Sequence, residues 1–170
     1  MSLGLGYVEG VTHDYRRHGT TTLFAALDTA NGKVLTKCRQ RHRHQEYLSF
    51  LREIEKNVPK NLEVHIIVDN YATHKHLRVK RWLATRPRFH IHFTPTYASW
   101  LNQVEIWFNR ITQQALRRGT FSSVKELVEK IDHYVQNSNR RAQPFVWTAT
   151  ADSIFAKVER LCERIYGTAH

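Results

Sequence analysis

Val64-His65-Ile66-Ile67-Val68 is a nearly continuous apolar run that stops at Asp69. Such a run is expected to be a central strand buried on both faces, because a strand with one wet face alternates apolar and polar side chains instead. Phe89 to Phe93 then reads Phe, His, Ile, His, Phe, the period-two pattern of a further strand. Between them, His74 to Thr85 is a short basic stretch of helical pattern stopped by Pro87. Strand, helix, strand in that order predicts a parallel pair, since parallel neighbours need a crossover connection.

The flanking elements follow from similar signals. Thr20 to Leu27 and the segment KVLTKC (33–38) are short strand candidates, and Asn31-Gly32 between them marks a hairpin turn. His44 to Lys56 carries Tyr47, Leu48, Leu51 and Ile54 at helical spacing, with Pro59 beyond its end. After the loop Thr94-Pro95-Thr96-Tyr97-Ala98, a helix from Ser99 to Arg117 places Leu101, Val104, Phe108, Ile111 and Ala115 on one stripe, and Gly119 ends it. Ser123 and Glu126 have capping-box spacing ahead of Val124, Leu127, Val128, Ile131 and Val135. A last helix, Ala151 to Ile165, is expected to bury Ile154, Phe155, Val158, Leu161, Cys162 and Ile165, while Trp100, Trp107 and Trp147 read as core aromatics. The fold class expected is α/β, a mixed sheet flanked by helices. One domain is expected over 1–170, with a segment 1–19, sheet and core helices over 20–117, and terminal helices over 120–170.

Composition narrows the functional classes. The 170 residues hold 26 Lys plus Arg against 15 Asp plus Glu, a net charge of +11 that favours a polyanionic partner through counterion release. A hydrophobic share of 41% supplies enough burial to exclude a disordered chain. The longest stretch without Asp, Glu, Lys or Arg, Phe89 to Val104, is too polar to span a bilayer, and Met1 to Gly6 lacks the regions of a signal peptide. Cys38 and Cys162 have no metal-binding spacing and read as free thiols in a reducing compartment, so a cytoplasmic location is expected. His42-Arg43-His44 and His90-Ile91-His92 lack a third ligand at a metal-binding spacing and read as structural or DNA-facing, and no glycine-rich phosphate loop is present.

Two carboxylates are placed to carry chemistry. Asp69 ends a strand, where ligands of α/β sheets gather, and Glu105 lies one position past Val104, at the edge of a buried helical stripe. A partly buried carboxylate there needs a partner or a metal, although a loop-capping Asp and a surface Glu are the ordinary alternatives. Asp14, in a basic segment, and Asp28, at the hairpin turn, are weaker candidates. His74 stands five residues after Asp69 and is the histidine to watch.

VDNYATHK (68–75), FTPTYASWLNQVEIWF (93–108) and THDYRRHGTTTLFAALD (12–28) resemble transposases of the insertion sequence 630 group, within the mariner superfamily. The resemblance extends to PFVWTATADSIFAKV (144–158) and implies a ribonuclease-H-like catalytic domain. It also implies the DDE mechanism, in which three carboxylates hold two divalent ions, Mg²⁺ or Mn²⁺, that cut DNA and join the freed end elsewhere. Asp69 matches the second of those carboxylates and Glu105 the third. The first is expected upstream of Met1, as are the first strand and the DNA-binding region, so the chain reads as the carboxyl-terminal part of a transposase. Two carboxylates hold two Mg²⁺ ions poorly, so this chain alone is expected to be inactive or impaired in strand transfer.

The expected partners are DNA, as transposon ends and target, and a second copy of the chain, with no membrane. For the DNA backbone the candidates are Lys75, Arg78 and Arg81, at intervals of three, and Arg117 with Arg118; Arg39 to His44 and Arg86-Pro87-Arg88 are further basic clusters. The competing reading is a basic, non-catalytic remnant that binds DNA or dimerises.

Overall fold

The computed structural model describes residues 19–95, 102–117, 119–144, 146 and 148–167. Strands β1 (Thr22–Leu27) and β2 (Val34–Arg39) pair antiparallel, from Thr22 against Arg39 to Leu27 against Val34. The turn between them follows from its polar residues. Asp28 accepts the Ala30 N–H through its carboxylate at 2.9 Å, and its carbonyl accepts the Gly32 N–H at 2.7 Å. Gly32 sits at φ +73°, and a Cβ there would run into the carbonyl oxygen of Gln143. Asp28 is thus spent on turn chemistry.

Helix α1 (His44–Asn57) buries Tyr47, Leu48, Phe50, Leu51 and Ile54 along one stripe. Strands β3 (Val64–Val68) and β4 (Phe89–Phe93) pair in parallel register, Val64 with Phe89 through Val68 with Phe93, joined by a 3₁₀ turn (Ala72–Lys75) and α2 (Leu77–Ala84). The expected parallel pair is therefore present. Among the described residues, however, the strands form two separate two-stranded sheets and not one mixed sheet. What unites them is side-chain packing: Phe24 of β1, Val64 of β3, Phe89 of β4 and Val79 and Trp82 of α2 meet the α1 stripe in one core.

The expectation that β3 is buried on both faces is corrected. Val64 and Val68 are buried, but His65 is exposed and Ile67 is 56% exposed, because the helical core covers only one face. On the open face, His65 stacks between His90 and His92, with ring centroids 4.6 and 5.3 Å away, and its Nδ1 lies 3.0 Å from His92 Nε2.

A second core joins Val34 to Trp107, Ile111 and Ala115, and to Ile131 and Val135 of α4 (Val124–Arg140). Helix α3 (Val104–Ile111) continues as a π turn over Thr112–Leu116. The cause is local: the Thr112 hydroxyl donates to the Phe108 carbonyl at 2.7 Å, and the Arg117 N–H reaches back to Thr112 O at 2.8 Å. The part of the expected helix from Ser99 to Leu101 lies outside the described residues, as do Trp100 and Trp147. Trp107 is buried as expected, and so is Trp82.

Ser123 caps α4 by accepting the Glu126 N–H at 3.2 Å, whereas the Glu126 carboxylate takes the N–H and hydroxyl of Ser122 at 2.8 and 2.7 Å. The cap box is thus shifted by one residue on its return arm. Helix α5 (Ala151–Gly167) departs further from expectation: none of its described side chains is buried, Phe155 is 69% exposed and Cys162 is exposed. The side chains of Leu161 and Ile165 lie outside the described residues. No described helix is long and apolar enough to cross a membrane.

Both cysteines are free, and they differ in environment. Burial, then the charge of Asp132, pushes the Cys38 thiol above its ordinary value. Since the thiolate is the nucleophile, iodoacetamide at pH 8 is expected to alkylate Cys162 at least about tenfold faster than Cys38. Peptide mass mapping over time checks this, and equal rates would contradict the burial argument.

Candidate active site

Asp69 leaves the carboxyl end of β3 with its side chain 49% exposed. The chain turns there because Asn70 and Tyr71 lead into the 3₁₀ turn, which carries His74 back beneath Asp69. His74 Nδ1 lies 3.1 Å from Asp69 Oδ1 and 3.1 Å from the Asp69 carbonyl oxygen, so one ring N–H serves two acceptors of the same residue. Burial holds His74 below its ordinary pKa, with Asp69 opposing, which favours the neutral ring that donates from Nδ1. The imidazole packs 4.4 Å from the Tyr47 ring, with His42 and Tyr71 beyond, at 6.4 and 6.1 Å. Burial and the nearby Asp69 charge push the Tyr47 phenol well above its ordinary value, keeping it protonated.

Glu105 lies in the first turn of α3, partly buried, and its N–H bonds to the Asn102 carbonyl at 3.0 Å. The oxygen donors of Asp69 and Glu105 suit a hard divalent cation by type, but they are two. Among the described residues, no three His, Cys, Asp or Glu side chains gather to hold an ion. Asp28 is committed to its turn, and Asp14 lies outside the described residues.

The basic candidates separate. Lys75, Arg78 and Arg81 do not share one helix face, because His76 adopts ψ 143° and ends the 3₁₀ turn before α2 starts. Lys75 lies over the Phe93 ring at 5.2 Å, while Arg78 and Arg81 line a groove against α1. Arg117 is exposed and bonds to Gln113 Oε1 at 3.0 Å, and Arg118 lies outside the described residues. Arg86 and Arg88 are structural: the first bonds Glu55 at 2.9 Å above the Trp82 ring, and the second donates to the Pro59 and Leu62 carbonyls at 2.7 and 2.9 Å.

Sequence reasoning missed Tyr47 and Arg52 as neighbours of these groups. Tyr47 was legible only as one of the apolar residues of α1, and a phenol on a buried stripe beside a basic, histidine-rich segment is the signal that marks it. Arg52 falls seven residues after Gln45, on the same face of α1, a spacing visible in the sequence.

The chain is 27% identical over 114 residues to a protein of Shigella sonnei described as the insertion element IS630 uncharacterized 39 kDa protein, an alignment covering 67% of this chain. It spans about a third, 33%, of that protein's length. Residues 6–128, which include the β1–β2 hairpin, Asp69, His74 and Glu105, match the family of DDE superfamily endonucleases, and to that family the chain belongs.

Proposed function

We propose that the chain forms part of the catalytic domain of a DNA transposase, on a ribonuclease-H-like plan, with Asp69 and Glu105 as ligands of Mg²⁺ or Mn²⁺. The observation that carries the reading is the half-exposed Asp69 carboxylate at a strand's carboxyl end, bonded from behind by the largely covered His74 imidazole, inside the segment matched to the endonuclease family. The chemistry a divalent ion supplies at such carboxylates is neutralisation of a phosphoryl oxygen and activation of water or a DNA 3′-hydroxyl. His74 holds the Asp69 carboxylate in one orientation, as partners of metal-binding side chains do. The proposed activity is DNA cleavage and joining in the longer protein, with this chain alone inactive or impaired.

Mn²⁺ binding tests the assignment. Electron paramagnetic resonance on the 170-residue chain is expected to show weak Mn²⁺ binding that falls roughly tenfold in Asp69→Asn and in Glu105→Gln, since each removes one anionic ligand of a hard cation. Overlapping titrations of the wild type and both variants would sink the shared-site reading.

A further inference from the structure

Gln45, Leu48 and Arg52 lie along one face of α1, and Arg78, Arg81 and Trp82 of α2 join them in lining a groove of about 320 Å³. The acids further along α1 are engaged elsewhere, Glu53 with Lys37 at 3.0 Å and Glu55 with Arg86 at 2.9 Å. Among the described residues, no ion pair joins Arg52, Arg78 or Arg81 to a carboxylate. Three guanidinium groups therefore surround one trough without a counter-charge.

A second observation is independent of charge: the lining includes apolar side chains, Leu48 and Trp82, beside the arginines. Leu48 and the indole ring give the groove an apolar floor, which suits the sugar of a nucleic-acid backbone better than a free inorganic ion. From Gln45 to Arg52 the helix rises about 10 Å at ~1.5 Å per residue. That matches the rise of about three nucleotides of one strand at ~3.4 Å each.

We infer that the α1–α2 groove is a phosphodiester cradle for one strand of nucleic acid. Arg52, Arg78 and Arg81 are its charged donors, and Gln45 its neutral one. The inference rests on the proposed reading in taking nucleic acid as the partner, but it needs neither carboxylate nor metal. Arg52 and Gln45 extend the interface to α1, and contacts of this kind hold the backbone without reading bases.

The test is a fluorescence-anisotropy titration of a labelled 20-base-pair duplex with the 170-residue chain, in EDTA and across a range of NaCl concentrations. The double variant Arg52→Gln/Arg81→Gln is expected to bind about tenfold more weakly at low salt, on any sequence. Its log affinity against log salt should be shallower by roughly two, near 0.9 per lost phosphate contact. Gln45→Glu keeps every arginine and is expected to weaken binding too, by placing a carboxylate in the trough. Unchanged thermal midpoints would show that these surface changes leave the fold intact. Titrations of both variants that superimpose on the wild type would overturn the cradle. So would inorganic phosphate raising the wild-type midpoint, but not the double variant's, while DNA binding stays the same: the groove would then take a small anion. Because the assay excludes metal, a failed Mn²⁺ experiment at Asp69 leaves a positive result here standing.

Discussion

Leu51→Ala is expected to destabilise the protein by about 3 kcal/mol, within the ~2–5 kcal/mol typical of buried leucine truncations. Leu51 is fully buried, and its cluster includes Phe24 from one sheet and Val64 and Phe89 from the other. No backbone ladder ties those sheets together among the described residues, so their association depends on such packing. Truncation removes apolar contact from that junction and leaves a cavity that strands on two sides cannot jointly close. For a chain of this size the thermal midpoint should fall by roughly 6–12 °C, at about 2–4 °C per kcal/mol. Leu62→Ala, at a residue 50% exposed, should change stability by no more than about 0.5 kcal/mol. Urea unfolding of both variants checks the contrast, and a loss under about 1 kcal/mol in Leu51→Ala would mean that α1 is not the joint between the sheets.

Asn139→Ala is expected to cost about 2–4 kcal/mol, because it orphans two buried backbone groups, each worth roughly 1–3 kcal/mol when unpaired. The Asn139 amide oxygen accepts the Val34 N–H at 2.8 Å, and its NH₂ donates to the Val34 carbonyl at 2.9 Å. The Lys33 carbonyl bonds across the hairpin to the Asp28 N–H, so the Val34 groups face the opposite edge of β2, where no strand among the described residues pairs with them. Asn139 serves as a one-residue strand partner, and Val34 is only 3% exposed, leaving little access for water as a substitute. Asn137→Ala, which removes only exposed contacts with His133 and Arg140, provides the comparison and should be close to neutral. Equal stability of the two variants would show that solvent reaches Val34 and that the amide clasp matters little.

Local signals carried most of the secondary structure. Asn31-Gly32, the stripe on α1, the parallel strands about a basic helix and the Ser123 cap each depend on neighbours within a few residues, and each appears where the spacing places it. What spacing cannot report is which faces meet. The apolar run of β3 promised two covered faces, yet Ile67 is open because its cover would have to come from a distant element. Arg78 and Arg81 were visible as a basic pair, but the role of Arg52 needed α1 and α2 to be laid side by side. In the site, Asp69 and His74 were legible because they lie within one turn of chain. Glu105 was picked out by helical phase and resemblance, and its relation to Asp69 depends on how α3 is carried round after β4.

Helix α5 divides the molecule on the energy scale of local opening. Among the described residues, the buried members of both hydrophobic cores all lie at or before Val135, and no described side chain of α5 is buried. Among its described side chains only Ile154 and Val158 are even partly buried, so the described tertiary cover of this 17-residue helix is thin, and helix propensity by itself gives little stability in water. Opening α5 exposes no member of either described core, so its amides are expected to exchange hydrogen at a lower free-energy cost than those of α1. A thermal midpoint set by those cores reports little on α5, whose exposed Phe155 lies outside both of them.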